Sequence, residues 1–193
     1  MSHAPELSIV VALISGKTED LERCLSALDN QTGISSPEVL VPYDNACEHV
    51  LELAARFPGV TFVPLEGVDT RQARAGASPE HHDQLRTLGL RRARGEFVIL
   101  TEDHAHADPK WASSLLALLA RKPAAGCAGG AVEWGGRTML SYAVYLCDFG
   151  RYQNPIPEAQ AQYVSDSNVC YRRASLESIA GAWTSRYQET IVH

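Results

Sequence analysis

No stretch of this sequence approaches the roughly 18 consecutive apolar residues that a membrane-spanning helix needs. The amino end also lacks the charged-then-apolar pattern of a secretory signal. These absences predict a soluble, cytoplasmic protein with no transmembrane segment, and leave peripheral membrane contact open. No C-x-x-C pair is present. The five cysteines, Cys24, Cys47, Cys127, Cys147 and Cys170, are odd in number and widely spaced, which argues against a disulfide framework. They are expected to be small buried hydrophobes in a reducing compartment. Positive charge is not in excess either: the net charge is −6 and the pI about 5.6. That argues against nucleic acid as a partner. A nucleotide ligand is still allowed, because it needs only local positive charge. There is no low-complexity segment and no internal repeat.

What is present is an ordinary globular composition: 193 residues, 45% hydrophobic and 21% charged, enough for one domain with a substantial core. Leu7 to Ile14 is a near-continuous β-rich run suited to a central strand. Ser15-Gly16-Lys17 makes a turn, and Thr18 starts a helix whose apolar face is Leu21, Cys24, Leu25 and Leu28. Val39 to Val41 reads as a second strand ending in Pro42-Tyr43-Asp44-Asn45. Cys47, Val50, Leu51, Ala54 and Phe57 mark a second helix, stopped by Pro58-Gly59. Val60 to Leu65 is a third strand, followed by a long loop from Glu66 to Ser78. A helix with Pro79 at its first position runs to Arg94-Gly95. Its His81 and His82 read as surface residues, and Arg91, Arg92 and Arg94 as a solvated helix end.

Phe97 to Leu100 is the next strand, buried on both faces. Asp108-Pro109 starts a helix carrying Trp111, Leu115, Leu118 and Leu119. Cys127 to Val132 reads as a strand. This alternation predicts an α/β fold, a doubly wound, mostly parallel, Rossmann-like sheet with helices on both faces. The pattern then changes. Met139 to Leu146 is compatible with a helix, Asp148 to Gln162 with a loop, Ser167 to Tyr171 with a short strand, and Ala174 to Ile179 with a short helix. The end at His193 reads either as a natural terminus or as the cut end of a longer protein.

The buried strand ends at Glu102-Asp103-His104. Ligands of open α/β sheets bind outside the carboxyl ends of the strands. Taken alone, the trio reads equally well as such a site or as a solvated turn. His104 and His106 are weak evidence for zinc, because no third ligand of matching spacing is visible.

Several segments, in order, resemble glycosyltransferase family 2, whose members have the GT-A fold and use nucleotide-diphospho-sugars. Leu21-Glu22-Arg23-Cys24-Leu25-Ser26-Ala27-Leu28 resembles the family's "L-x-x-C-L-x-S-L" helix. Glu38 to Asp44 resembles its second strand, which ends in an aspartate facing the base. Leu85 to His104 resembles the segment "a-R-N-x-G-x-x-x-A-x-G-e-y-i-l-f-l-D-x-D". Asp108-Pro109-Lys110-Trp111 resembles "p-x-W-l", and Asn168 to Arg173 lies in an "x-N-x-x-x-R-R" strand. Gln188-Glu189-Thr190 falls where the family has Glu-Asp. The departures are Thr87 for the usual Asn, Glu102-Asp103-His104 for Asp-x-Asp, and Glu189-Thr190 for Glu-Asp. Together these segments span essentially the whole chain.

The resemblance implies one GT-A domain over residues 1–193, with a nucleotide-sugar half (1–104) and an acceptor half (105–193) that is either complete or cut short. It implies a donor site of Ser15, Gly16, Asp44, Arg86, Glu102 and Asp103. A divalent cation, Mn2+ or Mg2+, is expected on Asp103 and His104, and Glu189 is expected to be the general base. Arg71 and Arg74 are further candidates for the diphosphate, and Glu66 for the pocket wall. Trp134 and Trp183 are expected as acceptor walls or as core, and Arg172 and Arg173 as supports of a loop. The expected activity is sugar transfer from a nucleotide-diphospho-sugar to an unknown sugar, lipid or protein acceptor, inverting and metal-dependent. The alternative is a nucleotide-sugar-binding module of the same fold that has lost catalysis. A nucleotidyltransferase fits less well, since Ser15-Gly16-Lys17 is too thin for its Gly-rich loop.

Overall fold

The structure is a computed structural model. It describes residues 5–67 and 79–192, the side chains of residues 79, 80, 190 and 191 excepted. Arg71 and Arg74 therefore lie outside the described residues. Six strands form one sheet: β1 (Leu7–Ala12), β2 (Glu38–Tyr43), β3 (Val60–Pro64), β4 (Phe97–Glu102), β5 (Cys127–Gly129) and β6 (Asn168–Arg172), in the order β3-β2-β1-β4-β6-β5. The helices are α1 (Thr18–Asp29), α2 (Pro79–Arg92), α3 (Trp111–Arg121), α4 (Met139–Asp148), α5 (Arg173–Ser178) and the single turn α6 (Glu189–Val192).

The expected central strand is central. All six residues of β1 are buried, between β2 and β4, both parallel to it. Its side chains alternate between two cores. Leu7, Ile9 and Val11 pack with Leu21, Leu25 and Leu28 of α1 and with Leu115 and Leu119 of α3. Val10 joins Val98 and Leu100 of β4, Leu90 of α2 and Leu176 of α5 on the other face. Each fully buried aliphatic chain here contributes about 1.5–3 kcal/mol. The helices lie on both faces, as expected of a doubly wound sheet.

One expectation needs correction. The stripe Cys47 to Phe57 forms a 3-10 helix over Glu48–Ala55, with Val50 and Leu53 buried and Leu51 exposed. The sheet is mostly parallel, as expected, but β6 lies between β4 and β5 and runs antiparallel to both. Its register pairs Thr101 with Asn168. The amino end of β6 thus lies at the carboxyl end of β4, and the loop before it enters the sheet from the side where a ligand would bind.

Close packing of α2 depends on Gly89. A Cβ there would lie 2.2 Å from Val10 Cγ1 and 2.9 Å from Pro42 Cγ. Arg94 is not a free helix end. Its Nε donates to Glu38 Oε1 at 2.7 Å, and its amide donates to Glu38 Oε2 at 2.8 Å, where the Ser8 hydroxyl also donates at 2.6 Å. Burial acts to raise the Glu38 carboxyl, but these donors outweigh it and hold the group below the usual glutamate range. Trp183 is core, with Nε1 donating to Leu176 O at 2.8 Å, whereas Trp134 is 38% exposed. Arg172 donates to Leu119 O and Ala125 O, and Arg173 to Gly95 O. Both tie loops together, as expected. Among the described residues no helix is long and apolar enough to cross a membrane.

Gly89→Ala is expected to destabilise the fold by about 1–3 kcal/mol through overpacking, read as a lower urea midpoint with unchanged slope. Glu38→Gln is expected to cost about 2 kcal/mol at neutral pH. A depressed carboxylate stabilises above its unfolded pKa, and that contribution is lost as pH falls through the lower folded value. The gap between wild type and variant should therefore close in acid. A gap that stays constant from neutral pH to below the folded pKa would refute the assignment.

Candidate functional site

The carboxyl ends of β1, β2 and β4 lie level, since Ala12 pairs with Glu102 in the sheet. After β1, the chain turns at Gly16, whose φ of 63° is in the left-handed region that favours glycine. Asp103 holds this turn. Its Oδ1 accepts the amides of Ile14 and Ser15, both at 3.0 Å. Its Oδ2 accepts the Ser15 hydroxyl at 2.7 Å and the Gly16 amide at 3.1 Å. The side chain is fully buried. Burial alone would raise the Asp103 carboxyl, but the hydrogen bonds from His104, Ser15 and Ile14 outweigh it and hold the group below the usual aspartate range. Both oxygens are thus occupied by donors from the chain itself. Ser15, Gly16 and Asp103 lie together at this turn, and Asp103 clamps it with both carboxylate oxygens.

Glu102 points the other way along the pleat, toward α2. Arg86 Nη2 lies 2.7 Å from Glu102 Oε1 and 2.8 Å from Asp166 Oδ2. Arg86 is 7% exposed, and its guanidinium is engaged by these carboxylates rather than open to a diphosphate. Burial works against the Arg86 charge, but Asp166 and Glu102 raise its pKa further. Burial also pushes the Glu102 carboxyl up, with the Asp166 charge adding and Arg86 and His104 opposing, because one guanidinium nitrogen serves two acids.

His104 is 44% exposed in its side chain and lies over both acids. Its Nε2 is 3.4 Å from Glu102 Oε2, and its Nδ1 is 3.4 Å from Asp103 Oδ1. The Asp103 hydrogen bond raises the imidazole above its ordinary value, burial opposing and the Glu102 charge adding. Among the described residues, no three acidic, His or Cys side chains form a ready metal cluster. The chemistry of the donor set is nevertheless suitable: one carboxylate oxygen and one imidazole nitrogen stand 3.4 Å apart at a strand end. Such a pair can take a divalent ion whose remaining ligands are phosphate and water, and the imidazole favours Mn2+ over Mg2+.

Glu189 is brought to the same place by the carboxyl segment. The Thr87 hydroxyl donates to Trp183 O at 3.0 Å, and the Tyr187 hydroxyl pairs with that of Tyr171 at 2.7 Å. These contacts hold the segment against α2 and β6. Burial raises the Glu189 carboxyl and the Asp166 charge adds to it, against Arg86 and a hydrogen bond from the Asp166 amide. The Thr190 side chain lies outside the described residues.

Asp166 and His81 are the residues that sequence reasoning missed. Asp166 sits in a tight turn, with Ser165 and Ser167 buried and their hydroxyls 2.8 Å apart. The polar triplet just before a strand was the available signal. His81, expected on the surface, is 12% exposed and its Nε2 bonds Asp44 Oδ2. Asp44 Oδ1 accepts the amides of Ala46 at 2.7 Å and Cys47 at 3.0 Å, which forms an Asx turn at the start of the 3-10 helix. Two resembling motifs also meet: Trp111 Nε1 donates to Asn168 Oδ1 at 2.8 Å, and Asn168 Nδ2 to Ala131 O at 2.8 Å. Glu66 is exposed.

No family model matches the sequence, and neither does a curated protein. Solved structures do match. S. aureus TarS 1-349 in complex with UDP-GlcNAc superposes with a TM-score of 0.64 at 13% identity, over 97% of this chain and 52% of that one. The mannosyltransferase PcManGT from Pyrobaculum calidifontis, in complex with GDP-Man and Mn2+, gives 0.59 at 17% identity, over 92% and 47%. The chain shares the GT-A fold of these structures. It spans about half the length of these similar chains.

Asp103→Asn is expected to destabilise the metal-free protein by at least about 2 kcal/mol, because buried amide donors lose a charged acceptor. Unaltered metal-free stability, measured by urea denaturation, would return Asp103 to the role of an open ligand.

Proposed function

We propose that the protein is a glycosyltransferase that moves a sugar from a nucleotide-diphospho-sugar to an acceptor hydroxyl, with inversion and with a divalent cation. The observation that carries this reading is the convergence of Glu102, His104 and Glu189 around Arg86 and Asp166 at the ligand end of a GT-A sheet. The donors named for the similar structures, UDP-GlcNAc and GDP-Man, support the same class of donor. Glu102 Oε2 and His104 Nε2 are the atoms that would hold the cation. When bound, it neutralises the diphosphate as the sugar bond breaks.

The chain's own residues have distinct tasks. The Ser15-Gly16 turn, kept rigid by Asp103, forms the floor beneath the nucleotide. Asp44 stands at the end of β2, where the base would sit. Arg86 orients Glu102 and neutralises it with Asp166, acting through those acids and not on the donor. Glu189 is the general base. The acceptor oxygen forms its bond to the anomeric carbon as the bond from that carbon to the diphosphate oxygen breaks. The electron pair leaves on the nucleoside diphosphate, and the acceptor's proton goes to Glu189. A raised pKa strengthens Glu189 as a proton acceptor near neutrality. The base must be unprotonated, so the rate should fall as pH drops through that value, above the usual glutamate range.

Glu189→Gln is expected to lower turnover about 10²- to 10⁴-fold, with nucleoside-diphosphate binding close to wild type. Melting shifts with UDP and GDP, with and without Mn2+, read binding; hydrolysis of a nucleotide-sugar reads chemistry. Unchanged turnover in the variant would remove Glu189 from the mechanism. Metal-dependent binding without turnover at any pH would identify the alternative, a binding module of the same fold. His104→Ala should weaken the Mn2+-dependent part of the shift and spare the rest.

A further inference from the structure

We propose that His81, rather than Asp44, presents the hydrogen-bonding atom that reads the base of the nucleotide. The inference rests on the donor-site reading above and deepens it. Asp44 follows β2 directly, so it lies at the ligand end of the sheet. Its carboxylate is committed to the chain on both oxygens. Oδ1 takes the Ala46 and Cys47 amides, and Oδ2 takes His81 Nε2. A base reaching for this carboxylate would compete with an imidazole already bonded to it.

The imidazole itself has one nitrogen to spare. A carboxylate only accepts, so the nitrogen facing Asp44 carries the hydrogen, and the other nitrogen of the neutral ring is a bare acceptor. That nitrogen, Nδ1, is buried and has no hydrogen-bond partner among the described residues. A buried acceptor with no donor is a group that a ligand N–H can satisfy. The ring cannot turn to offer the other edge without breaking its bond to Asp44. Asp44 therefore acts as a positioning residue that fixes the tautomer and orientation, as second partners of imidazoles do elsewhere.

An acceptor at this place selects by chemistry. Uracil offers an imide N–H and guanine a lactam N–H in the ring. Adenine and cytosine carry a bare ring nitrogen at the corresponding position, which would oppose Nδ1 lone pair to lone pair. Such an acceptor is thus matched to the base of a uridine or guanosine diphosphate. Sites built around a hydrogen bond reject ligands that leave it unmade far more strongly than sites built on shape alone.

The test is calorimetric titration of the full chain with UDP, GDP, ADP, CDP and inorganic pyrophosphate in the presence of Mn2+. Wild type should bind UDP or GDP at least about tenfold more tightly than ADP and CDP. His81→Phe keeps a flat ring and removes both nitrogens. It should lose about tenfold or more for the preferred nucleotide, and leave pyrophosphate unchanged. His81→Gln retains a donor for Asp44, so it guards against a fold defect in the first variant; the same selective loss is expected of it. Equal loss for pyrophosphate in both variants would mean a merely structural histidine and overturn the inference. So would retention of the base preference in both. If wild type binds no nucleoside diphosphate at all, the donor-site reading itself fails, a result distinct from either.

Discussion

The carboxylate of Asp103 is the constraint on which this end of the molecule depends. It is fully buried, yet it remains a charged acceptor because three amides and a hydroxyl converge on it. Without those donors, burying a carboxylate would be prohibitive. With them, the end of β4 is bound to the turn after β1 by contacts 87 to 89 residues apart in sequence. Everything else at the strand ends is referred to this joint. Glu102 and His104 flank it, and the Cys24 thiol of α1 contacts the Glu102 carbonyl at 3.6 Å.

The acids of the site are kept apart by different partners, and this gives them different characters. Asp103 is held low by its donors. Glu102 and Glu189 are pushed upward by burial and by the Asp166 charge, since one guanidinium serves several carboxylates. Several acids surround the Arg86 guanidinium, and the half-exposed His104 lies over Glu102 and Asp103. The strand-end trio is thus divided by the pleat: Asp103 faces the turn after β1, Glu102 is buried against Arg86 of α2, and only His104 is substantially exposed.

Much was legible in the chain order. Runs such as Leu7 to Ile14 and Phe97 to Leu100 are near-continuously apolar, as strands covered on both faces are. Periodic leucines in α1 and α3 identified their buried faces, and these are the faces that pack. The strand-end residues Ser15, Gly16, Glu102 and Asp103 could be grouped because parallel strands place their ends together. The 3-10 form of Glu48–Ala55 was not legible, because an apolar stripe over two turns has nearly the same spacing in either helix. Nor was the burial of His81. Its partner Asp44 is 37 residues away, and nothing local marks the pair.

By itself the sequence determined the layers, the central place of β1 and the strand end at which chemistry would gather, because hydrophobic periodicity and turn residues act locally. Tertiary structure alone decided which partners each acid meets. The antiparallel entry of β6 delivers Asp166 to Arg86, and the packing of Trp183 and Tyr187 delivers Glu189 to the same cluster. A carboxylate's role depends on which donors and charges surround it in space. Here those partners come from segments that are distant in sequence.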